Sequence, residues 1–333
     1  SLRTLLRSHN VSTVIRPEVI DSLFKCIKNN EVLRNSSQEQ IPIDLTLVGG
    51  EPLMKENISI IQYIVKQKLN IENLQITAIT NGYDLSHYEA LIGQKAIANI
   101  QISLDGNYVE TNSRRPHKNY QSVFKIITSN ISMALNKGCR VHVRCNIDES
   151  NIDQIDIINT IVLKNKWNTY NSFSIHTAAV TKDPHNKSKT KCITTGEIAR
   201  YHNILNRNEN KHLIHDKKRK NYIQSFSKAL SGTADLTSLF RTAFCNAHTG
   251  MLIFDPFNNV YKCYERVGLE KYKVGTLEKE GVISFNMDNY NLWKNRTVSS
   301  IEDCSTCSYA LFCGGGCASQ AMSESGTYYA SYC

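Results

Sequence analysis

The chain has 333 residues, of which 41% are hydrophobic and 21% are charged, and its formal net charge is +9. That length predicts about two domains, and the composition is ordinary for a folded globular protein. No apolar run is long enough to span a bilayer, and the basic residues are not interleaved with aromatic ones as in nucleic-acid-binding modules. We therefore expect a cytoplasmic protein that binds neither membrane nor nucleic acid.

Helices and strands alternate along the first half of the chain, and the strands end at polar or glycine-containing turns. The predicted helices are residues 17–29, 58–68, 85–96, 123–136 and 152–164. The predicted strands are residues 43–48, 74–80, 100–104, 140–147 and 173–177. Repeated strand–helix units at this spacing predict a parallel sheet with right-handed crossovers, either doubly wound or an incomplete barrel.

Polar residues gather where four of these strands end. Each of these turns alone is an ordinary strand end. Ligands of parallel sheets bind at the carboxyl ends of the strands, so four polar strand ends along the same edge of the sheet, here called the rim, predict a binding site. Glu51 suits an amine, Arg144 a carboxylate and Asp105 ribose hydroxyls, which together suit a zwitterionic nucleoside. The candidate residues are Gly49, Gly50, Glu51, Pro52, Thr80, Asn81, Ser103, Asp105 and Arg144.

The second half of the chain changes character twice. Residues 190–235 are polar and helical in character, and the composition shifts to a cysteine-rich one at Thr242. We expect three segments: 1–190 with the sheet, 191–241 as a helical bridge and 242–333 as a cysteine-rich domain. Within the last, residues 251–254 and 260–263 predict a small hairpin.

Seven of the eleven cysteines lie in the last segment, and residues 304–317 carry the spacing C-x2-C-x5-C-x3-C. Such dense thiolates place several sulfurs on one metal centre, and the glycines at 314–316 would let the backbone approach a bulky inorganic core. Iron–sulfur clusters are the favoured interpretation. Structural zinc would use four cysteines and leave three unexplained, and disulfides suit small secreted domains better than a chain of this size.

Four motifs at the strand ends resemble the barrel of radical S-adenosylmethionine (SAM) enzymes: GGEPL at 49–53, TNG at 80–82, SLDG at 103–106 and RCNID at 144–148. The cysteine-rich segment resembles their SPASM extension, which carries two auxiliary 4Fe–4S clusters. The resemblance covers nearly the whole chain. It implies an α/β fold, namely a partial (β/α)6 TIM-like barrel with its first strand and cluster loop truncated, followed by a small SPASM domain.

The resemblance also implies roles for single residues. Gly49 to Glu51 would hold the amino group of SAM, Ser103 and Arg144 would contact its carboxylate or ribose, and Asp105 would shape that site. The distal auxiliary cluster would be bound by Cys304, Cys307, Cys313 and Cys333. The inner auxiliary cluster would be bound by Cys245, Cys263 and Cys317.

The fourth ligand of the inner cluster stays open. One iron of this cluster could keep an open coordination position for substrate, or it could be bound by Cys192 or by a residue beyond this sequence. Met251 lies at the position where some relatives have the fourth ligand. Asn258 stands where the family pattern usually has glycine, and a turn that needs a positive φ tolerates Asn. The cysteines outside the two sets are expected to pack as small apolar residues. They are Cys26, Cys139, Cys145 and Cys192.

The start of the chain departs from the family pattern. The family's C-x3-C-x2-C loop binds the cluster that cleaves SAM, and Thr4 and Arg7 align with its second and third cysteines, while the first would precede Ser1. Neither Thr nor Arg replaces a thiolate, so the chain as written does not hold that cluster by this motif. Three explanations stay open: a reading-frame error near Thr4, a degenerate paralogue without radical chemistry, or a cluster loop wholly upstream.

The implied function is that of a radical SAM peptide maturase, which uses a 5′-deoxyadenosyl radical to form a thioether or carbon–carbon crosslink in a ribosomally made peptide. The implied partners are a precursor peptide or protein and an electron donor such as flavodoxin or ferredoxin. The alternatives are formylglycine formation, as in anaerobic sulfatase maturases, and a non-catalytic peptide-binding paralogue.

The residues after Cys263 bear on the choice between these functions. Sulfatase maturases usually have an acidic residue directly after that cysteine, suited to removing a proton, whereas this chain has Tyr264 followed by Glu265. These two are the candidate catalytic residues, and a hairpin edge without a catalytic role explains them equally well.

Overall fold

The structure is a computed structural model of the chain. It describes residues 2–4, 14–29, 43–71, 73–118, 122–180, 195–207, 213–215, 231–232 and 240–333. Most of the predicted bridge, 191–241, lies outside the described residues, and so do Arg7 and Cys192.

The strands and helices follow in chain order. The strands are β1 (Leu2–Thr4), β2 (Ile43–Gly49), β3 (Leu74–Thr80), β4 (Ile97–Ser103), β5 (Arg140–Ile147), β6 (Phe173–Ala179), β7 (Leu213–His215), β8 (Ile253–Phe254), β9 (Asn259–Tyr261), β10 (Gly275–Leu277) and β11 (Ile283–Phe285). The α-helices are α1 (Pro17–Asn29), α2 (Ile58–Lys68), α3 (Tyr108–Arg114), α4 (Val123–Asn136), α5 (Gln154–Lys164), α6 (Thr195–Leu205), α7 (Met287–Lys294), α8 (Glu302–Ser305), α9 (Ala310–Cys313) and α10 (Ala318–Ser325).

The chain divides into two compact units. The first is Pro42–Lys220, and the second combines Ser1–Ile41 with Asn221–Cys333. The N-terminal segment joins the C-terminal one because β1 pairs in parallel with β8 and α1 contacts β10. Ser22 of α1 also donates a hydrogen bond to the carbonyl of Lys279 at 3.3 Å. The predicted boundaries at 190 and 241 are not where this division falls, and they stay a prediction.

The unit Pro42–Lys220 is built on a parallel sheet. Strands β2 to β7 pair in chain order, each parallel to the next. Burial alternates along β5, where His142, Arg144 and Asn146 are half-buried on one face. The residues buried on the other face are Val141, Val143, Cys145 and Ile147. The predicted parallel sheet is confirmed, and its two faces differ: one packs in the core and the other carries polar side chains.

Two helical elements between β3 and α4 differ from the sequence prediction. Residues predicted as a helix over 85–96 form a 3₁₀ helix at Leu85–Leu91. It ends there because Ile92 is extended and bridges to Ile97, and Gly93 has a φ of +135°. Helix α3 was not predicted; the Asn107 side chain caps it by accepting a hydrogen bond from the Glu110 N–H at 2.9 Å.

The second unit contains a run of short antiparallel strands. β8 pairs with β9, β9 with β10 and β10 with β11. The carboxylate of Asp255 closes the β8–β9 turn by accepting from the N–H groups of Phe257 at 2.8 Å and Asn259 at 2.9 Å. Asn258 has a φ of +68°. The predicted hairpin is therefore confirmed, and Asn258 adopts the backbone conformation for which glycine is usual.

Among the helices of the described ranges, none combines the length and the apolar character needed to cross a membrane.

Candidate functional site

The carboxylate of Glu51 joins the ends of β2 and β3. Its Oε1 accepts from the Thr80 hydroxyl at 2.6 Å and from the Leu53 N–H at 2.9 Å, and its Oε2 accepts from the Asn81 N–H at 2.6 Å. Burial raises the pKa of Glu51, and these hydrogen bonds act in the opposite direction. A carboxylate has about four acceptor positions, so room is left for one more donor, such as an amine.

The backbone beside Glu51 is open. Gly50 is exposed, and a Cβ added to it would meet no atom within 4 Å, so packing inside the protein does not require a glycine there. Pro52 is buried, and the Asn57 side chain donates to its carbonyl at 3.1 Å, which fixes the turn that follows Gly49. The turn thus presents bare backbone to a space that a ligand could fill.

The ends of β4 and β5 form the other half of this rim. Ser103 lies opposite Arg144 in the strand register. The Nε of Arg144 donates to the Asn146 side-chain oxygen at 3.0 Å, and within the described chain its terminal nitrogens make no hydrogen bond. The half-buried guanidinium therefore keeps N–H donors available for an anionic group of a ligand.

Asp105 is enclosed by the chain itself. It is 2% exposed, its Oδ1 accepts from the backbone and side-chain N–H groups of Asn146 at 3.0 and 3.2 Å, and its Oδ2 pairs with Arg115 at 2.8 Å. Arg114 lies 3.8 Å from the same oxygen. These contacts do not support direct binding of ribose hydroxyls. They suit a positioning role, because Asn146 also accepts from Arg144.

The sequence analysis missed a pair of histidines on the same polar face. The rings of His142 and His176 stack with centroids 4.4 Å apart at 15°, and His142 Nδ1 lies 2.5 Å from the Ser174 hydroxyl. His176 is the register partner of Arg144. The alternation that places His142 two residues before Arg144 on one strand could have identified it.

The cysteines predicted for the distal cluster influence one another. Burial raises the pKa of Cys304, and the nearby thiolates of Cys313, Cys333 and Cys307 raise it further. These effects support the predicted assignment of the four thiols to one cluster.

The three cysteines predicted for the inner cluster also influence one another electrostatically. Burial raises the pKa of Cys263 to about 12, the backbone N–H of Glu265 lowers it, and the thiolates of Cys317 and Cys245 raise it. In the part of the chain that the structure describes, no three His, Cys, Asp or Glu side chains converge closely enough to hold a metal ion. The assignment of ligands to two clusters stays a prediction.

The glycine run has a different structural reason from the one expected. Gly314, Gly315 and Gly316 have φ values of +76°, +80° and +71°. A Cβ at Gly316 would lie 1.9 Å from the Tyr332 carbonyl oxygen, and one at Gly314 would lie 2.7 Å from the Ala243 backbone. These glycines therefore admit neighbouring protein backbone, which holds the C-terminal segment against the cysteine loop.

Alanine at Gly316 should destabilise this unit more than alanine at Gly326. Both glycines have a φ above +70°, and a Cβ at Gly326 meets nothing within 4 Å. We expect Gly326→Ala to cost about 1–2 kcal/mol for the left-handed backbone and Gly316→Ala to cost about 1–3 kcal/mol more for overpacking. Thermal unfolding of both variants measures the difference, and equal losses would contradict the close approach of Tyr332.

Other predicted residues lie apart from these groups. Met251 packs against the apolar cluster of Ile253, Tyr261 and Val267, so a role as ligand gains no support. Tyr264 is 51% exposed and Glu265 half-buried, both in a 3₁₀ turn directly after Cys263, and their catalytic role stays a prediction. Three cysteines outside the predicted sets are buried, as expected: Cys26, Cys139 and Cys145.

Comparison with sequence families gives one match. Residues 12–127 match the model of a 4Fe–4S single cluster domain. That range contains a single cysteine, Cys26, which is buried in α1, so it does not itself supply the thiolates of a cluster. A segment of 70 residues is also 30% identical to an uncharacterized protein of Archaeoglobus fulgidus, and it spans 21% of this chain and only 17% of that relative.

Similarity to solved structures extends over almost the whole chain. Native anSMEcpe with bound AdoMet superposes with a TM-score of 0.67 at 15% identity, over 98% of this chain and 93% of the other. Streptococcus suis SuiB bound to S-adenosylmethionine gives 0.63 at 14% identity, over 97% and 71%. SuiB bound to its precursor peptide SuiA gives 0.62 at 13% identity, over 97% and 72%.

The predicted resemblance is therefore confirmed at the level of the fold: the chain shares the α/β fold of anSMEcpe and SuiB, a partial TIM-like barrel.

Proposed function

We propose that this chain is the SAM-binding and auxiliary-cluster part of a radical SAM maturase that modifies a peptide or protein. The observation that carries the proposal is the polar rim of the parallel sheet, where Glu51 fixes Thr80 and Asn81 and Arg144 stands opposite Ser103. A zwitterionic ligand needs an acceptor for its ammonium and a cation for its carboxylate, and this rim offers both. anSMEcpe and SuiB share the fold and hold this ligand.

Each residue of the rim has a distinct task in this proposal. Gly49 to Glu51 accept the amine of SAM, using the remaining acceptor position of Glu51 and the bare backbone at Gly50. Ser103 and Arg144 donate to its carboxylate or ribose. Asp105 acts through Asn146, which it holds on one side while Asn146 orients the Nε of Arg144 on the other. Asp105 is thus a positioning residue.

Two auxiliary 4Fe–4S clusters fit the two predicted sets of thiols. Thiolates are the ligands of such clusters, and the electrostatic effects of the cysteines on Cys304 and on Cys263 support this assignment. When bound, these clusters supply one-electron transfer at potentials between about −700 and +450 mV, tuned by charge, hydrogen bonds and exposure. The chain's own part is to hold the thiolates.

The residues present do not fit the cluster that cleaves SAM. Thr4 belongs to β1 and carries no thiol, Arg7 lies outside the described residues, and the range matched to a 4Fe–4S domain contains only Cys26. We derive no catalytic step through that cluster. The same observation favours the second candidate function, a paralogue that binds peptide and auxiliary clusters without radical chemistry.

A peptide is the substrate class with the best support. SuiB shares the fold and is bound to its precursor peptide SuiA. Tyr264 in place of an acidic residue after Cys263 favours crosslink formation over formylglycine formation. A flavodoxin or ferredoxin is the electron donor that this proposal requires.

SAM binding tests the rim directly. We expect Arg144→Ala to weaken SAM binding by about tenfold or more, since a charged hydrogen bond contributes about 1.5–3 kcal/mol. The control is Arg140→Ala, which removes the same charge from the exposed, opposite end of β5 and should leave the affinity unchanged. Calorimetric titration of the anaerobic chain with SAM measures both. Equal affinities for the two variants would contradict the placement of the SAM carboxylate at Arg144.

Product analysis separates the candidate functions. A crosslink removes a pair of hydrogens from the peptide, whereas conversion of cysteine to formylglycine replaces its sulfur by a carbonyl oxygen. Mass spectrometry of a candidate peptide after anaerobic incubation with SAM and reductant distinguishes these outcomes. An unmodified peptide and no released 5′-deoxyadenosine, with the upstream sequence also lacking the three cysteines, would support the non-catalytic paralogue.

A further inference from the structure

Arg296 is a fully buried cation that binds backbone carbonyls. It follows α7 and is 0% exposed. Its Nη2 donates to the carbonyl of Gly315 at 2.8 Å and to that of Ala330 at 3.1 Å, and its Nη1 donates to that of Gly316 at 3.1 Å. Its Nε donates to the carbonyl of Tyr328. One guanidinium thus ties the glycine run to the C-terminal segment.

These four bonds engage four of the five N–H groups of Arg296 but do not neutralise its charge. Carbonyl oxygens carry only partial negative charge, and within the described ranges no carboxylate forms an ion pair with Arg296. A buried charge is costly unless an opposite charge compensates it. The buried guanidinium therefore points to an anionic neighbour other than an Asp or Glu side chain.

The cysteines are that neighbour. The carbonyls of Gly315 and Gly316, which Arg296 binds, lie in the loop between Cys313 of the predicted distal set and Cys317 of the predicted inner set. A Cβ at Gly315 would lie 3.6 Å from Arg296 Nη1 and 3.7 Å from Cys304 Sγ, so the cation and this thiol border the same glycine.

We propose that Arg296 is a positioning residue shared by the two auxiliary clusters: its N–H groups hold the cysteine loop and the C-terminal segment together, and its charge is the common counter-ion of both thiolate sets. This inference rests on the proposed function. A cluster with thiolate ligands becomes more negative on reduction, and a fixed cation nearby stabilises the reduced form. Arg296 should therefore raise the reduction potential of the clusters.

Three variants of the full chain separate charge from geometry. Arg296→Met removes both the charge and the N–H groups, while Arg296→Lys keeps a charge but loses the planar set of donors. Lys294→Met is the matched control, since it removes the same charge two residues away at an exposed position, where solvent screens it. Redox titration of the iron-loaded chain, followed by electron paramagnetic resonance, gives the ratio of reduced to oxidised clusters.

We expect Arg296→Met to lower that ratio at least tenfold at a fixed potential, which is about 59 mV for one electron. Arg296→Lys should change it less than threefold yet lower the thermal unfolding midpoint, and Lys294→Met should change neither. If Arg296→Met does not retain iron, the proposal is tested on Arg296→Lys alone. A nearly wild-type ratio of reduced to oxidised clusters in Arg296→Lys supports the proposal, whereas loss of iron from Arg296→Lys as well would overturn it.

An unchanged ratio in iron-loaded Arg296→Met would overturn the counter-ion role. Failure of the proposed function would give a different result, namely a wild-type chain that binds zinc or no metal. In that case the basis of this inference would be lost as well.

Discussion

Replacing Cys304 and Cys313 together by alanine should remove about four irons and about four sulfides per chain and leave the other cluster in place. The reason is the predicted assignment of the thiols to two sets, which is supported by the effect of Cys313, Cys333 and Cys307 on the pKa of Cys304 and of Cys317 and Cys245 on that of Cys263. The reciprocal variant, Cys263→Ala with Cys317→Ala, should remove the other cluster. Iron and sulfide analysis of anaerobically purified protein measures both losses.

The control for these variants is Cys139→Ala. This cysteine is fully buried directly before β5 and belongs to neither predicted set, so its replacement should leave the iron content unchanged. Loss of all iron from either double variant, with the fold intact by circular dichroism, would mean that the seven thiols serve one centre rather than two.

Asp105→Asn should lower the free energy of unfolding of the Pro42–Lys220 unit by about 3–5 kcal/mol, because it removes the buried partner of an ion pair and leaves the half-buried Arg115 without its counter-charge. Asp105 pairs with Arg115 at 2.8 Å, and the side chains are only 3% and 18% exposed. The same change should weaken SAM binding, since Asn146 loses the charged acceptor that orients it toward Arg144. Urea unfolding and SAM titration measure the two effects.

The matched control is Asp156→Asn. Asp156 pairs with Arg207 at 2.6 Å, but these side chains are 41% and 50% exposed, so we expect a loss below about 1 kcal/mol. Equal losses of stability in the two variants would contradict the expectation that the enclosed Asp105–Arg115 pair stabilises the unit more than the exposed Asp156–Arg207 pair. An Asp105→Asn variant with wild-type SAM affinity would contradict its positioning role.

The sequence predicted best what depends on local pattern. The bounds of α1, α2, α4, β3 and β5 agree with the apolar periodicity of those segments. The sheet and its polar rim followed from the order of these elements, because parallel strands bring their carboxyl ends to one edge. The spacing within 304–317 likewise predicted a shared site, since closely spaced thiols are constrained by the chain itself.

What the sequence did not predict depends on contacts between distant residues. Asp105 was expected to face a ligand, but Arg115, which follows the unpredicted helix α3, and Asn146 of β5 enclose its carboxylate. Strand β1 pairs with β8, some 250 residues away, so no local pattern could assign it to the C-terminal unit. The glycine run was attributed to a cluster because a run of glycines in a sequence indicates a close approach without showing which group approaches.

Metal and sulfide analysis of the wild-type chain, purified without oxygen, tests the central claim most directly. The account predicts about eight irons and about eight acid-labile sulfides per chain, as two 4Fe–4S clusters require, with no stoichiometric zinc. Zinc in place of iron, or thiols paired as disulfides in freshly purified protein, would contradict it.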